Sequence, residues 1–189
     1  MKKTAVGLAL VGALLVGSAA MAQSDSPMST NSSGSITDSS NHHRPGQLSI
    51  MAYLPWYYGF GFGVSVGYAI PVLPNGFIPS INDSFDIEPG ASISYASYGY
   101  GYGFGTSYSF VNLNPYVQAN WRFHFSERFA AYAHVGAGVN IPIGYNGLNY
   151  GGYFYFDIGP GITYQIGDRI ALRAEAGTGG LRAGIAILF

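Results

Sequence analysis

The sequence contains no cysteine and very little charge. The absence of cysteine excludes disulfides, thiol catalysis and Cys-ligated metal sites. Charged residues make up 9% of the 189 residues, far below the usual quarter. Lysine occurs only at Lys2 and Lys3, so no basic patch of the kind that binds nucleic acid is expected. A water-soluble domain with so few charges would be poorly soluble.

Long apolar runs are also scarce, and the clearest one lies near residue 1. Lys2 and Lys3 precede an apolar run over residues 5–16, and small residues follow up to Ala22. This order is typical of a secretory signal peptide, predicted to span residues 1–22. The run is too short for a membrane-spanning helix, which needs about 20 apolar residues. The expected mature chain has six Arg against nine acidic residues and fits a single domain.

Residues 23–46 are rich in Ser, Asn and Asp and contain almost no large apolar side chain. Such a segment cannot bury enough apolar surface to fold by itself. We therefore predict a flexible periplasmic arm over residues 23–46. The two adjacent histidines, His42 and His43, supply too few ligands for a specific metal site, and neither a metal nor a cofactor is expected.

From residue 47 onwards, apolar residues alternate with polar or small ones. The longest example is VNLNPYVQANWRFHF, residues 111–125, which alternates without an error. A period of two predicts β-strands, and Pro115 predicts a local irregularity in this one. The same test predicts strands over residues 47–54, 60–70, 86–96, 111–125, 129–141, 153–166, 169–176 and 181–189.

An even number of strands in an exported, charge-poor and aromatic-rich chain predicts an all-β fold. We expect residues 47–189 to form an eight-stranded antiparallel up-and-down transmembrane β-barrel. Short turns at residues 126–128 and 167–168 are typical of the periplasmic side, and longer linkers of the outer side. Two connections fit less well. The predicted periplasmic connection 71–85 is long, and the predicted outer connection 55–59 is short.

The last strand carries a recognisable motif. Arg182, Gly184, Ile187 and Phe189 match the polar, glycine, apolar and aromatic positions of a pattern that resembles the outer-membrane assembly signal. This resemblance implies the barrel-assembly machinery as a partner. Residues 47–189 resemble, by pattern rather than by residue identity, the small eight-stranded outer-membrane barrels of the OmpA, OmpX and OmpW kind. The resemblance implies a location in the outer membrane of a Gram-negative bacterium, with outer-membrane lipid as a further partner.

Charged and imidazole side chains fall on the polar face of the predicted strands, which would line the lumen. A charge-ringed pathway for solutes is one interpretation. A structural network is the other, because an eight-stranded barrel is only wide enough for its own side chains. The inward glycines leave the same alternatives open, since they make room either for large side chains or for water. The predicted lumen residues are Asp86, Glu88, Arg122, His124, His134, Asp157, Arg173, Glu175 and Arg182.

The linker at residues 97–107 is rich in Tyr and Gly. Exposed tyrosines provide contact area at low entropic cost, so this loop is the predicted site for a surface ligand. The alternative is an aromatic girdle at the membrane surface. The candidate aromatic residues are Tyr98, Tyr100, Tyr102 and Phe104.

An enzymatic function is not expected. The segment HFSE, which contains His124 and Ser126, superficially resembles the His-x-Ser motif of barrel lipid A deacylases. Both side chains are predicted to point into the lumen near the periplasmic side, whereas those enzymes act on the lipid-facing side at the outer leaflet. No catalytic residue is therefore assigned. We expect a structural or surface-interaction protein with a largely filled lumen, with a narrow porin-like channel as the alternative and a lipid-modifying enzyme as a remote one.

Overall fold

A computed structural model describes residues 35–38, 40, 42–56, 60–99, 107–143 and 152–189. The predicted signal peptide, together with Tyr100, Tyr102 and Phe104 of the predicted surface loop, lies outside the described residues. Within the described part of the chain, no helix is long and apolar enough to cross a membrane. The strands are β1 (Gln47–Pro55), β2 (Phe60–Leu73), β3 (Asp83–Gly99), β4 (Ser107–His124), β5 (Phe129–Ile143), β6 (Tyr153–Gln165), β7 (Ile170–Gly177) and β8 (Gly180–Leu188).

The eight strands form one closed antiparallel barrel. Each strand pairs with the next one along the chain, and β8 pairs with β1 from Pro55↔Gly180 to Gln47↔Leu188. The prediction of an all-β, eight-stranded antiparallel barrel is confirmed. Residues 47–54, whose assignment decides whether the strand count is even, belong to a true strand. Because β1 covers the full length of β8, the apolar last strand has no free edge.

The connection between β2 and β3 is shorter than predicted. Residues 71–85 were expected to lie outside the strands, but β2 continues to Leu73 and β3 begins at Asp83. The pairing shifts register between Pro71 and Leu73, so a β-bulge accommodates the proline. The connection is therefore 74–82, and both strands are longer than the alternation indicated.

The two ends of the barrel differ. The connections 74–82, 125–128 and 166–169 lie at one end, and Gly46 and Phe189 lie there too, joined by a backbone hydrogen bond of 3.0 Å. We call this the terminal end. The opposite end carries the β1–β2, β3–β4, β5–β6 and β7–β8 connections, and we call it the loop end.

The distribution of side chains is the reverse of that in a soluble protein, where apolar side chains are buried and charged ones are exposed. Every Asp, Glu and Arg that lies in a strand is buried. Large apolar side chains point outward instead, and many are about half exposed, for example Val64 (47%), Val117 (54%) and Ile158 (60%). A strand that alternates polar-in and apolar-out places its charges in the lumen and its hydrocarbon on the outside. The core of this barrel is therefore polar.

Part of the segment predicted to be a flexible arm lies against the terminal end. The backbone N–H of Asn82 donates to the carbonyl of Ile36 (2.8 Å), and that of His42 donates to Oδ1 of Asn75 (3.0 Å). Arg44 also contacts the 74–82 connection, through the carbonyl of Pro74 and the side chain of Asn82. The described residues of the arm thus run beside the mouth of the barrel.

Candidate functional site: the charged lumen

Side-chain contacts between strands that are not neighbours place the buried charges inside the barrel. Arg173 on β7 binds Glu88 on β3, and Arg182 on β8 donates to Gln118 on β4. The strands in each of these pairs are not hydrogen-bonded to each other in the sheet, because each strand pairs only with its two neighbours around the barrel. The contacts therefore cross the lumen. Several glycines lie on the inner face of the strands, and the space they leave lets long side chains reach across the lumen.

Arg173 is the centre of the network. Its guanidinium binds Glu88 in a bidentate manner, with Nη1–Oε1 at 3.0 Å and Nη2–Oε2 at 2.7 Å. It also pairs with Glu175, and it donates to Ser49 Oγ (2.7 Å) and to the Tyr132 hydroxyl (2.7 Å). Bidentate, charge-assisted hydrogen bonds are the strongest that side chains make. A buried guanidinium needs such partners, because transfer of an unpaired charge out of water is costly.

Arg182 extends the network toward the loop end. Its Nη1 lies 2.9 Å from Oε2 of Glu175 and 3.0 Å from Oε1 of Gln118. Its Nη2 pairs with Asp157. The guanidinium carbon also lies 5.3 Å from the centre of the Tyr116 ring, within the range of a cation–π contact. Arg173, Glu175 and Arg182 thus form a continuous chain of alternating charge.

Arg122 forms a separate pair nearer the terminal end. Its Nε binds Asp86, and its Nη1 donates to Thr163 Oγ1 at 3.1 Å. Its guanidinium lies over the Tyr132 ring at 4.7 Å. Its Nη2 is buried and has no hydrogen-bond partner among the described residues.

The two predicted lumen histidines lie in different surroundings. His134 is fully buried, with Nε2 3.7 Å from Oδ2 of Asp157, which is longer than a hydrogen bond. His124 is only partly buried at the terminal end, where Nε2 lies 3.0 Å from Ser84 Oγ. The ring of His124 is thus hydrogen-bonded to a lumen serine. No group of three or more potential ligands within the described residues is placed to hold a metal ion.

The network also contains uncharged partners, which the predicted set of charged and imidazole side chains does not include. Tyr132 joins Arg173 to Glu175, since its hydroxyl accepts from Nε of Arg173 and donates to Oε1 of Glu175 (2.7 Å). Asn120 donates to Oε2 of Glu88 (2.9 Å), and Gln118 donates to Oε1 of Glu175 (3.2 Å). The sequence could have identified Tyr132, Asn120 and Gln118, because its alternation places all three on the polar face of their strands.

The glycines opposite the tyrosines serve packing. A Cβ added to Gly161 would lie 2.2 Å from the ring of Tyr132, and one added to Gly90 would lie 2.5 Å from the ring of Tyr116. Both tyrosine rings occupy space that any other residue would fill. At these positions the inward glycines make room for large side chains rather than for water.

Two cavities flank the network. The terminal vestibule has a volume of about 380 Å³, and the loop-end vestibule has one of about 290 Å³. Arg173, Glu88 and Glu175 line neither of them and lie between the two. Side chains that line the terminal vestibule include His42, Arg44, Ser84, Asp86, Arg122 and His124, and those of the loop-end vestibule include Tyr53, Ser94, Asn112, Asn114, Asn140 and Tyr155.

The residues of the predicted assembly motif are spread over both faces of β8. Arg182 is buried in the network, whereas Phe189 is 56% exposed at the terminal end, with its ring centre 6.4 Å from that of Tyr68. Gly184 lies so close to β1 that a Cβ would be 2.1 Å from the carbonyl oxygen of Ile50. Ile187 is half-buried on the outer face.

Of the candidate aromatic residues of the predicted surface loop, Tyr98 has its backbone in β3.

Loss of the Tyr132 hydroxyl is expected to destabilise the barrel. Tyr132→Phe would leave Oε1 of Glu175 and Nε of Arg173 each short of one buried hydrogen bond, while the ring contacts to arginine remain. Unsatisfied buried groups of this kind cost about 1–3 kcal/mol. The free energy of unfolding in urea should fall by this amount. Tyr164→Phe is the matched control, because Tyr164 is 47% exposed on the outer face. Equal unfolding midpoints for the two variants would contradict the role of Tyr132.

No family model, curated protein or solved structure matches this chain.

Proposed function

We propose that the chain is an integral outer-membrane barrel whose filled lumen gives it a structural or surface-interaction role. The observation that carries the proposal is the inverted distribution of side chains. Charges within the strands are buried, and the outer face of the same strands is apolar and exposed. In water, a barrel with an apolar surface around its whole wall would aggregate. In a bilayer, the same surface is the one that contacts hydrocarbon.

The dimensions of the strands support a membrane setting. A tilted strand needs about 9–11 residues to cross the hydrocarbon region. Seven of the eight strands have between 9 and 18 residues, and only β7, with 8, is shorter than this requirement. Closure of the barrel also satisfies the backbone groups of β1 and β8, which a bilayer requires because it offers no water.

Exposed aromatic side chains lie toward both ends of the wall, which also favours a bilayer. Phe125 (50%) and Tyr164 (47%) lie toward the terminal end, and Phe62 (54%) and Phe154 (80%) toward the loop end. Aliphatic side chains such as Val135 lie between them. Aromatic girdles around an aliphatic band are typical of outer-membrane barrels.

A filled lumen is favoured over a channel by the ion pairs at its centre. Arg173 binds carboxylates from β3 and from its own strand, and Arg182 binds Glu175 and Asp157. A permeating ion would have to replace these partners. The lumen of an eight-stranded barrel is just wide enough for its side chains. We therefore propose that the barrel does not conduct in this arrangement.

The partners follow from the same setting. Outer-membrane lipid would contact the apolar wall, and the motif that includes Gly184 and Phe189 extends the proposal to the barrel-assembly machinery. The loop at residues 97–107 remains the proposed site for a surface ligand. With the terminal end on the periplasmic side, the arm would lie in the periplasm and the loop end would face outward.

Reconstitution tests the proposal. The purified chain is refolded into phosphatidylcholine vesicles, and insertion is read from resistance to carbonate extraction and from a folded band that changes mobility when boiled. We expect insertion with a β-rich circular dichroism spectrum. A chain that folds in buffer without lipid or detergent, and that stays outside the vesicles, would disprove the membrane assignment.

Conductance in a planar bilayer then distinguishes the filled lumen from the channel. The folded protein should produce no discrete current steps. Glu175→Gln serves as the comparison, since it changes the charge of the network without changing its shape. Discrete steps from the unmodified protein, with an ion selectivity that Glu175→Gln alters, would replace the filled barrel by a narrow porin.

A further inference from the structure

We propose that the loop-end vestibule binds one neutral sugar residue, held by the side chains of Ser94, Asn112, Asn114 and Tyr155. The inference rests on the proposed surface-interaction role and gives that role a site and a ligand class. The vestibule has a volume of about 290 Å³, just below the range of about 300–1,000 Å³ that is typical of small-molecule sites. It therefore suits a single ring-sized unit rather than an extended chain.

Three strands bring the polar side chains of this site together. Ser94 on β3 lies opposite Asn112 on β4, and Asn114 is the next inward residue of β4. Tyr155 comes from β6, and its ring takes the space above Gly138, where a Cβ would lie 2.7 Å from the ring. The four side chains line the same cavity.

The polar groups of the loop-end vestibule lack protein partners, unlike those of the central network. The Asn112 amide and the hydroxyls of Ser94 and Tyr155 form no hydrogen bond with the described residues, and Asn114 uses only its Nδ2, which donates to a serine hydroxyl at 3.2 Å. None of these groups is enclosed by protein, so each can reach a molecule in the vestibule. The unpartnered Oδ1 of Asn140 differs, because it is enclosed, and it is not part of the site.

The lining selects a ligand that is neutral and carries hydroxyl groups. Among the described residues, no charged side chain lines the vestibule. An anion would find no free cation there, because Arg182 is already paired with Glu175 and Asp157. A hydrocarbon would leave the buried amide and hydroxyl groups without partners, which is costly. A sugar hydroxyl both donates and accepts, as amide and hydroxyl side chains do.

Aromatic rings supply a second feature of a sugar site. Tyr53 and Tyr155 both line the vestibule. The hydroxyl of Tyr53 donates to the carbonyl of Gly179 at 2.9 Å, which holds the ring beside the β7–β8 turn. The face of an aromatic ring carries partial negative charge and attracts C–H groups of partial positive charge. A sugar ring presents such a C–H face together with its hydroxyls, so it matches both parts of the lining.

An NMR titration of the folded protein in lauryldimethylamine oxide, a detergent without a sugar head, tests the site. The probes are the methyl glycosides of glucose, galactose and mannose. We expect at least one of them to bind saturably, at one site per chain. The uronate of that sugar, which has a carboxylate in place of the hydroxymethyl group, should bind at least about tenfold more weakly because the site offers no free cation. Equal binding of the uronate, or no saturable binding of any methyl glycoside, would overturn the proposal.

Two substitutions separate a ligand site from a structural one. Asn112→Ala and Tyr155→Phe should each raise the Kd of the sugar by about three- to tenfold, the effect of one or two lost hydrogen bonds. Neither should lower the free energy of unfolding, because neither group is bonded to the described protein. Asn75→Ala and Tyr164→Phe are the matched controls and should leave the Kd unchanged, since they remove the same groups at the terminal end and on the outer face.

Unchanged sugar binding in both Asn112→Ala and Tyr155→Phe would show that the vestibule is not the site. Because binding is measured in detergent, its failure is distinct from that of the membrane assignment, which would appear as failed insertion into vesicles.

Competition distinguishes two sources of the sugar. The protein is placed in phosphatidylcholine vesicles with the methyl glycoside that binds best. Displacement by a diacylglycerol that carries the same sugar in the same bilayer would support the site with a glycolipid head as its ligand. Displacement by a soluble oligosaccharide of that sugar, but not by the lipid, would support the site with a free glycan as its ligand.

Discussion

Replacement of Arg173 by methionine is expected to lower the free energy of unfolding of the barrel by about 3–5 kcal/mol. Methionine has a similar length but no charge, so the carboxylates of Glu88 and Glu175 would lose their shared cation. Glu88 is fully buried and Glu175 is 4% exposed. Neither can turn toward water. Ser49 and Tyr132 would each lose a hydrogen bond of 2.7 Å as well.

Equilibrium unfolding in urea, in detergent or in vesicles, measures this effect. Arg169→Met is the matched control, since the same substitution in an exposed turn should change the free energy of unfolding by less than about 0.5 kcal/mol. A double variant, Arg173→Met with Glu88→Gln, should recover part of the loss because one buried charge is then removed. If Arg173→Met is as stable as Arg169→Met, the central ion pairs do not hold the lumen together.

The strands could be predicted from the sequence because one physical rule governs each of them. Inward residues must be polar or small, and outward residues apolar, so a period of two persists through β4 and β5. The exceptions arise at prolines. The alternation predicts that this strand ends at residue 70, before Pro71, but β2 absorbs the proline in a bulge and continues to Leu73. At Pro115 the pairing of β4 with β5 is interrupted between Leu113 and Tyr116, as the missing N–H leads one to expect.

The candidate site was less predictable. Alternation indicates which residues face the lumen, but not which of them meet. The partner of Arg173 is Glu88, 85 positions earlier in the chain, and this contact depends on the stagger of strands around the barrel. The position of Arg44 in the lining of the terminal vestibule was not predicted either. Its segment has the composition of a flexible arm, and only its contacts with Pro74 and Asn82 place it at the vestibule.

The outer face allows a second large effect to be predicted. Val135 lies near the middle of β5 and is 54% exposed, and Ile166 follows β6 at the terminal end and is 53% exposed. The two side chains are equally accessible but lie at different heights on the wall. In the proposed bilayer, Val135→Arg places a charge near the midplane, which costs about 2–4 kcal/mol. Ile166→Arg places it near the interface, where the cost is about 0–1 kcal/mol.

If the apolar wall faced water instead, both variants would be expected to have nearly the same free energy of unfolding. An exposed apolar side chain on a soluble protein can be replaced by arginine with a change of less than about 0.5 kcal/mol. Unfolding in urea from phosphatidylcholine vesicles measures both free energies under one condition. A deficit of Val135→Arg relative to Ile166→Arg is expected, because only depth in hydrocarbon distinguishes two sites of equal exposure. Equal stabilities would mean that the apolar wall does not face lipid, and the inverted distribution of side chains would need another explanation.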